Sequence, residues 1–172
     1  MIRRTLWVTI LLVPAAGCTV NVKQVRIDAS TLDAPMSNAS VSTRCAYRLT
    51  SIADERPSGD LAGTLGANLI TLENAPALIR ERLLKSGIAD AQGQGRGVEI
   101  RLMRLYMMEN LYTRFPIVVY QAKIDGGDSF VVRSQLGEMS WSTDPARAHE
   151  GYARALQDAN ARLVNALNER CA

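Results

Sequence analysis

The sequence predicts an α+β domain: a two-layer sandwich in which a mainly antiparallel sheet of four to five strands carries two helices on one face, in the order β-α-β-β-β-α. Three observations predict it. Alternating apolar residues mark strands on both sides of a mid-chain helix. Asp125-Gly126-Gly127-Asp128 supplies a hairpin turn between two β-rich runs. The chain then ends in a long segment whose apolar residues recur at helical spacing. Each helix has a single apolar stripe, so both bury it against the same side of the sheet.

The elements follow in order. Residues 19–41 are rich in Ser, Thr, Asn and Asp; Val20, Val22, Val25 and Ile27 hint at one short strand, and the rest reads as a tether. Val41 to Asp54 reads as a strand with Tyr47, Leu49 and Ile52 as its apolar points, closed by Arg56-Pro57-Ser58-Gly59. Gly59 to Gly66 reads as a loop and Ala67 to Leu72 as a short extended piece. Asn74 is placed as a helix N-cap with Pro76 in the first turn; Leu78, Ile79, Leu83 and Leu84 share a face, and Gly87 suits the position past the C-cap. After a polar loop over 88–97, Val98, Ile100 and Leu102 alternate with Glu99 and Arg101. Pro116 opens the next strand, Ile117 to Ile124, and Phe130, Val131 and Val132 begin the last, which is expected to run, with a break at Gly137, as far as Trp141. Asp144-Pro145 starts the longest helix, an N-cap followed by proline at N1, with a stripe of Tyr152, Leu156, Ala159, Leu163 and Leu167.

The amino terminus carries a different signal. Arg3 and Arg4 precede an apolar run from Leu6 through Val13, broken only by Thr9, and Pro14-Ala15-Ala16-Gly17-Cys18 follows. A positive start, an apolar stretch of roughly 7–15 residues and a small-residue exit define a secretory signal. The stretch is too short to cross a bilayer, which takes about 20 residues. Ala15-Ala16-Gly17-Cys18 resembles the lipobox of bacterial lipoproteins. The resemblance implies that Cys18 is alkylated by diacylglycerol, that the chain is cut just before it, and that the new amine is acylated. Thr19, standing where Asp is absent, implies by the same resemblance transfer to the outer membrane. The expected organisation is a signal peptide over 1–17, a lipidated N-terminus and tether over 18–41, and one periplasmic domain over 42–172.

Removing Arg3 and Arg4 with the signal takes the net charge from +3 to +1, so the basicity of the precursor belongs mostly to targeting. No basic run remains and aromatics are few, which argues against a nucleic-acid partner. With lipid on Cys18, two of the three cysteines remain, in a compartment that permits disulfides. A Cys45–Cys171 bridge is expected, tying an early strand to the end of the last helix; the alternative is two unpaired thiols.

A search for chemistry finds no catalytic constellation. The single histidine, His149, sits in the first turns of the last helix and reads as a solvated helix residue, with no nucleophile motif beside it. One His and distant Cys residues do not make a zinc site, and a hairpin turn accounts for Asp125 and Asp128 without calcium. Gly59-Asp60-Leu61-Ala62-Gly63-Thr64-Leu65-Gly66 lacks the Gly-Lys-Ser/Thr of a phosphate loop, and Gly93-Gln94-Gly95-Arg96-Gly97 reads as a linker. Asp54, Glu55 and Arg56 read as a local ion pair at a strand end. No cofactor or metal is predicted. The most suggestive stretch is Met103 to Pro116, which would make both faces of a strand apolar. Methionine-rich apolar surface favours permissive contacts, so Met103, Tyr106, Met108, Tyr112 and Phe115 are the candidate partner-binding residues, with Tyr106, Met108 and Tyr112 expected to be substantially exposed. The bland alternative is that one face packs under the helices and the other against the tether or the long loop.

The lipobox, a first strand ending in Asp54-Glu55-Arg56-Pro57, a mid-chain helix, a three-strand meander and a long Ala/Leu-rich last helix together resemble YajG-type small outer-membrane lipoproteins and the auxiliary lipoproteins of ABC-type lipid-transport systems. That resemblance implies a non-enzymatic binding or assembly component anchored through Cys18, with a protein partner in the envelope. The alternatives are a lipid-transport auxiliary lipoprotein and a periplasmic inhibitor or immunity lipoprotein, the latter requiring a protruding loop near residues 59–68.

Overall fold

The structure, a computed structural model, describes residues 22–32, 41–66, 68–109, 113–135 and 145–171; Cys18, Tyr112 and Asp144 lie outside them. The elements are β1 (Lys23–Asp28), a 3-10 turn (Ala29–Thr31), β2 (Tyr47–Asp54), β3 (Leu61–Leu65), β4 (Asn68–Glu73), α1 (Ala75–Lys85), β5 (Arg96–Glu109), β6 (Arg114–Ile124), β7 (Ser129–Arg133) and α2 (Pro145–Asn168). The fold is α+β, as the alternation of patterns predicts.

The predicted sheet is present as β2-β5-β6-β7, with β2 parallel to β5 and the other pairs antiparallel. Alternation explains its buried face: Tyr47, Leu49, Val98, Ile100, Leu102, Val118, Tyr120, Ala122 and Val132 enter one core with Leu78, Ile79 and Leu83 of α1 and Tyr152, Leu156, Ala159, Leu163 and Leu167 of α2. Both helices therefore cover the same face. Three tyrosines bury their rings and still satisfy their hydroxyls, Tyr47 donating to Leu167 C=O at 2.8 Å, Tyr152 to Ala62 C=O at 2.6 Å and Tyr120 to Asn160 Oδ1 at 3.0 Å.

Two expectations need correction. A single sheet was expected, yet a second, three-stranded sheet runs in the order β1-β4-β3. The Gly59–Gly66 segment, read as a loop, contains β3, whose Ala62 and Leu65 are buried. Small residues and a register shift between Leu61 and Gly63 hide the alternation there. Gly63 has φ 129°, and a Cβ on it would stand 2.8 Å from Met107 Cβ, so only glycine lets β3 approach β5 this closely. The short strand hinted at within 19–41 by Val25 and Ile27 is β1, which pairs in parallel with β4 from Lys23↔Asn68 to Asp28↔Glu73 and, with the turn after it, buries Ile27, Ala29 and Leu32.

Turn chemistry fixes the remaining joints. At the end of α1, Gly87 (φ 88°) donates to Leu84 C=O and Ile88 to Leu83 C=O, the paired bonds of a Schellman motif. Asn74 occupies the N-cap position in the left-handed region, but its side chain makes no cap bond and instead reaches Asp28 Oδ1 at 3.5 Å. Asp125 (φ 51°) and Gly126 (φ 71°) form the predicted hairpin turn. Cys45 and Cys171 are joined by a disulfide with Cα atoms 5.8 Å apart. Beside it, Asn168 accepts from Arg44 N–H at 2.7 Å and donates to Ser42 C=O at 3.0 Å.

Candidate functional site

The methionine- and tyrosine-rich stretch folds into the far half of β5 and the start of β6. A register shift between Leu102 and Arg104 re-aims β5, so Leu105 and Met107 join the core side. Tyr106 pairs with Ile117 and Met108 with Phe115. Ile117 is buried but stands outside the main core cluster, whereas Val118 beside it is within it. The outer face thus carries its own small apolar cluster, with Arg133 Nη2 placed 3.7 Å from the Met108 sulfur. Met103, Tyr106, Met108 and Phe115 are all half-buried, so the described part of this face is neither a free apolar patch nor fully covered. Tyr112, the third residue expected to be exposed, lies outside the described residues.

The structure also assembles a cleft that sequence reasoning missed. It has a volume of about 510 Å³ and is lined by Val25, Arg26, Ile27, Asp28, Thr31, Ala146 and His149. Five of these come from β1 and the turn after it, and two from the first turns of α2. Among the described strands β1 is an edge, so the cleft runs beside backbone that its own sheet does not use. His149, read from sequence as solvated, is half-buried here, its Nε2 3.1 Å from Thr31 Oγ1. The one signal that points to this cleft is the Val25/Ile27 alternation; nothing in the sequence pairs His149 with Thr31, 118 residues earlier.

Asp28, the carboxylate that lines this cleft, is already engaged by its neighbours. Asp28 Oδ1 accepts from Ser30 N–H and Ser30 Oγ, both at 2.9 Å, and from Asn74 Nδ2 at 3.5 Å. Those bonds hold its carboxyl below the usual range, the Ser30 backbone bond foremost. A carboxylate committed to capping a turn is not oriented to hold an imidazole as a base.

The Asp54–Glu55–Arg56 trio is an ion-pair knot, as expected. Arg56 donates Nε to Asp54 Oδ1 at 2.8 Å and Nη2 to Asp54 Oδ2 at 2.6 Å; Nη2 also reaches Asp60 Oδ1 at 3.1 Å and Leu72 C=O at 3.2 Å. Glu55 turns away to Arg101 at 3.4 Å. Asp125, at the hairpin, accepts from Arg96 Nε at 3.0 Å and from Gly97 N–H at 2.7 Å. Among the described residues no group of three or more His, Cys, Asp or Glu side chains is placed to share a metal ion.

These carboxylates set an acid limb. Arg96 and then the Gly97 amide lower the Asp125 pKa, the Ser30 amide lowers that of Asp28, and Lys85 lowers that of Glu81. A carboxyl with a depressed folded pKa stabilises fully above its unfolded value, near 4, and loses that contribution as pH falls through the folded value. Thermal midpoints measured against pH are expected to be flat in the neutral range and to drop below about pH 4. Asp125→Asn should make that drop shallower; an unchanged acid limb would count against this account.

No family model matches the chain, and no curated protein does. Among solved structures, the fold resembles that of protein XCC0632 from Xanthomonas campestris, of the DUF330 family, with a TM-score of 0.53 and 12% identity over 84% of this chain and 95% of that one. At that identity the likeness is one of fold alone.

Proposed function

We propose that the chain is an envelope lipoprotein, held by lipid on Cys18 at the periplasmic face of the outer membrane, that acts as a binding or assembly component and not as an enzyme. The observation that carries this reading is Ala15-Ala16-Gly17-Cys18 standing directly after a charged start and an apolar run. The Cys45–Cys171 bridge supports it, because disulfides persist in an oxidising compartment such as the periplasm. The partner contact is assigned to strand surface: the edge that β1 presents among the described strands, with its cleft, which suits an added extended segment, and the half-buried Tyr106/Met108/Phe115 face. The narrower role of a lipid-transport auxiliary component rests on layout only. The inhibitor reading loses its structural motive, since residues 59–68 are largely built into β3 and its hairpin with β4.

Labelling cells with a radioactive fatty acid tests the anchor. The wild-type chain is expected to take up label, to begin at Cys18 and to weigh more than the bare polypeptide. Cys18→Ser should abolish labelling and leave an uncut precursor. Label persisting on Cys18→Ser, or a mature wild-type chain beginning upstream of residue 18, overturns the reading.

A further inference from the structure

If Cys18 carries lipid, the structure also says how the domain meets the membrane. Only residues 19–21 separate Cys18 from Val22, where the described chain begins and β1 follows. Four fully extended Cα–Cα steps span at most about 14 Å. A sulfur whose acyl chains lie in the leaflet therefore keeps the start of β1 within roughly that distance of the headgroups. Nor is β1 a swinging linker: it is locked in register against β4 over its whole length.

The surface held there is distinctive. In the β1-β4-β3 sheet, Ile27, Ile70 and Leu72 point into the core, so Gln24, Arg26, Asp28, Leu69, Thr71 and Glu73 point away from it. Among the described residues the exposed large apolar side chains are Val22 (53% exposed), Leu61 (36%), Leu69 (37%) and Val131 (66%). Three of these four belong to this sheet or to the residue that leads into it. Charge is graded along the same strands. Lys23 stands at the anchor end of β1, on the side opposite Gln24; Arg26 lies further along and is paired with Glu73 at 4.0 Å; Asp28 and Glu73 stand at the far end, five residues on from Lys23, or about 17 Å at strand rise. Aliphatic groups and a lysine near the anchor, with carboxylates held away from it, complement an anionic leaflet.

We infer that the outer face of the β1-β4-β3 sheet, at Val22, Leu69 and Leu61, lies against the surface of the lipid leaflet that holds the anchor. This rests on the lipoprotein reading above. It places the domain directly on the membrane, with the second sheet and the helices presented to the periplasm.

Full-length lipidated protein, purified from envelopes and reconstituted in vesicles of phosphatidylethanolamine and phosphatidylglycerol, tests it. A tryptophan is introduced by Leu69→Trp or, as an independent second site, Leu61→Trp, and its quenching by brominated lipid is compared with that in Asn165→Trp, on the exposed side of α2. Circular dichroism confirms that each variant is folded, and the parent provides the background of Trp141. Quenching several-fold stronger at positions 69 and 61 than at 165 is the expected result. Protein that floats with the vesicles but shows equal quenching at all three positions overturns the membrane face and leaves the anchor standing. So do crosslinks from position 69 to a second copy or to another protein in place of quenching. Protein that carries no lipid and fails to float overturns both.

Discussion

Replacing both bridged cysteines, Cys45→Ser with Cys171→Ser, is expected to cost about 3–5 kcal/mol of folding stability, the larger figure being the chain-entropy value for so long a loop. The bridge joins residues 126 apart, so it removes far more freedom from the unfolded chain than a local crosslink would. The folded side of the balance lowers the expected loss. Near the bridge, Asn168 still holds Arg44 N–H and Ser42 C=O, Tyr47 still donates to Leu167 C=O, and Arg96 Nη1 still donates to Arg170 C=O at 2.9 Å. The end of α2 therefore stays docked without the sulfur link. Urea unfolding of the double variant against the oxidised parent measures the difference. A loss below about 1 kcal/mol, with the parent's bridge verified by mass under non-reducing conditions, would mean that the unfolded chain was already compact around this contact.

How much of this fold was legible depends on how each segment displays its period. β2, the first half of β5 and the end of β6 alternate bulky apolar residues with polar ones, and α2 repeats Tyr152, Leu156, Ala159, Leu163 and Leu167 on one stripe. Such patterns leave a single way to bury the apolar face. The second sheet hides because its inward positions are small or spaced irregularly. Ala62 is fully buried yet sits between Leu61 and Gly63, and the glycine that reads as a loop residue is there so that β3 can touch Met107. β1 was legible only as a hint, because Val25 and Ile27 alone carry its alternation in a Ser- and Thr-rich context and its partner β4 is non-local. The candidate sites follow the same division. The apolar stretch from Met103 onward was visible as composition. Whether its outer face is bare or covered is decided by the shift between Leu102 and Arg104, which no local rule supplies. The cleft was invisible because it forms from β1 and the start of α2, distant segments with one weak signal between them.

Arg56→Ala is expected to destabilise by about 2–3 kcal/mol, somewhat under the usual loss on breaking a buried pair. The guanidinium is almost wholly buried, whereas the side chains of Asp54 and Asp60 are 27% and 59% exposed. Without it, water rehydrates both carboxylates in part, which keeps the loss below that of a fully enclosed pair. Leu72 C=O has no such recourse, since its bond to Arg56 is buried, and an acceptor stranded there adds to the cost. That bond also runs from the end of β2 to β4, so Arg56 ties one sheet to the other. Hydrogen exchange should accordingly accelerate first around β3 and β4, where Leu72 N–H donates to Asp60 C=O at 2.8 Å. Two further variants separate charge from geometry. Arg56→Lys keeps a cation but cannot make the two-pronged contact with Asp54, so it should lose a substantial part of the same stability. Arg56→Met keeps the packing of the stem and removes Nη1, which is buried without a hydrogen-bond partner, so it should be milder than alanine. An Arg56→Lys variant as stable as the parent would show that charge alone holds the joint. An Arg56→Ala variant that loosened all strands equally would show that the two sheets are held together elsewhere.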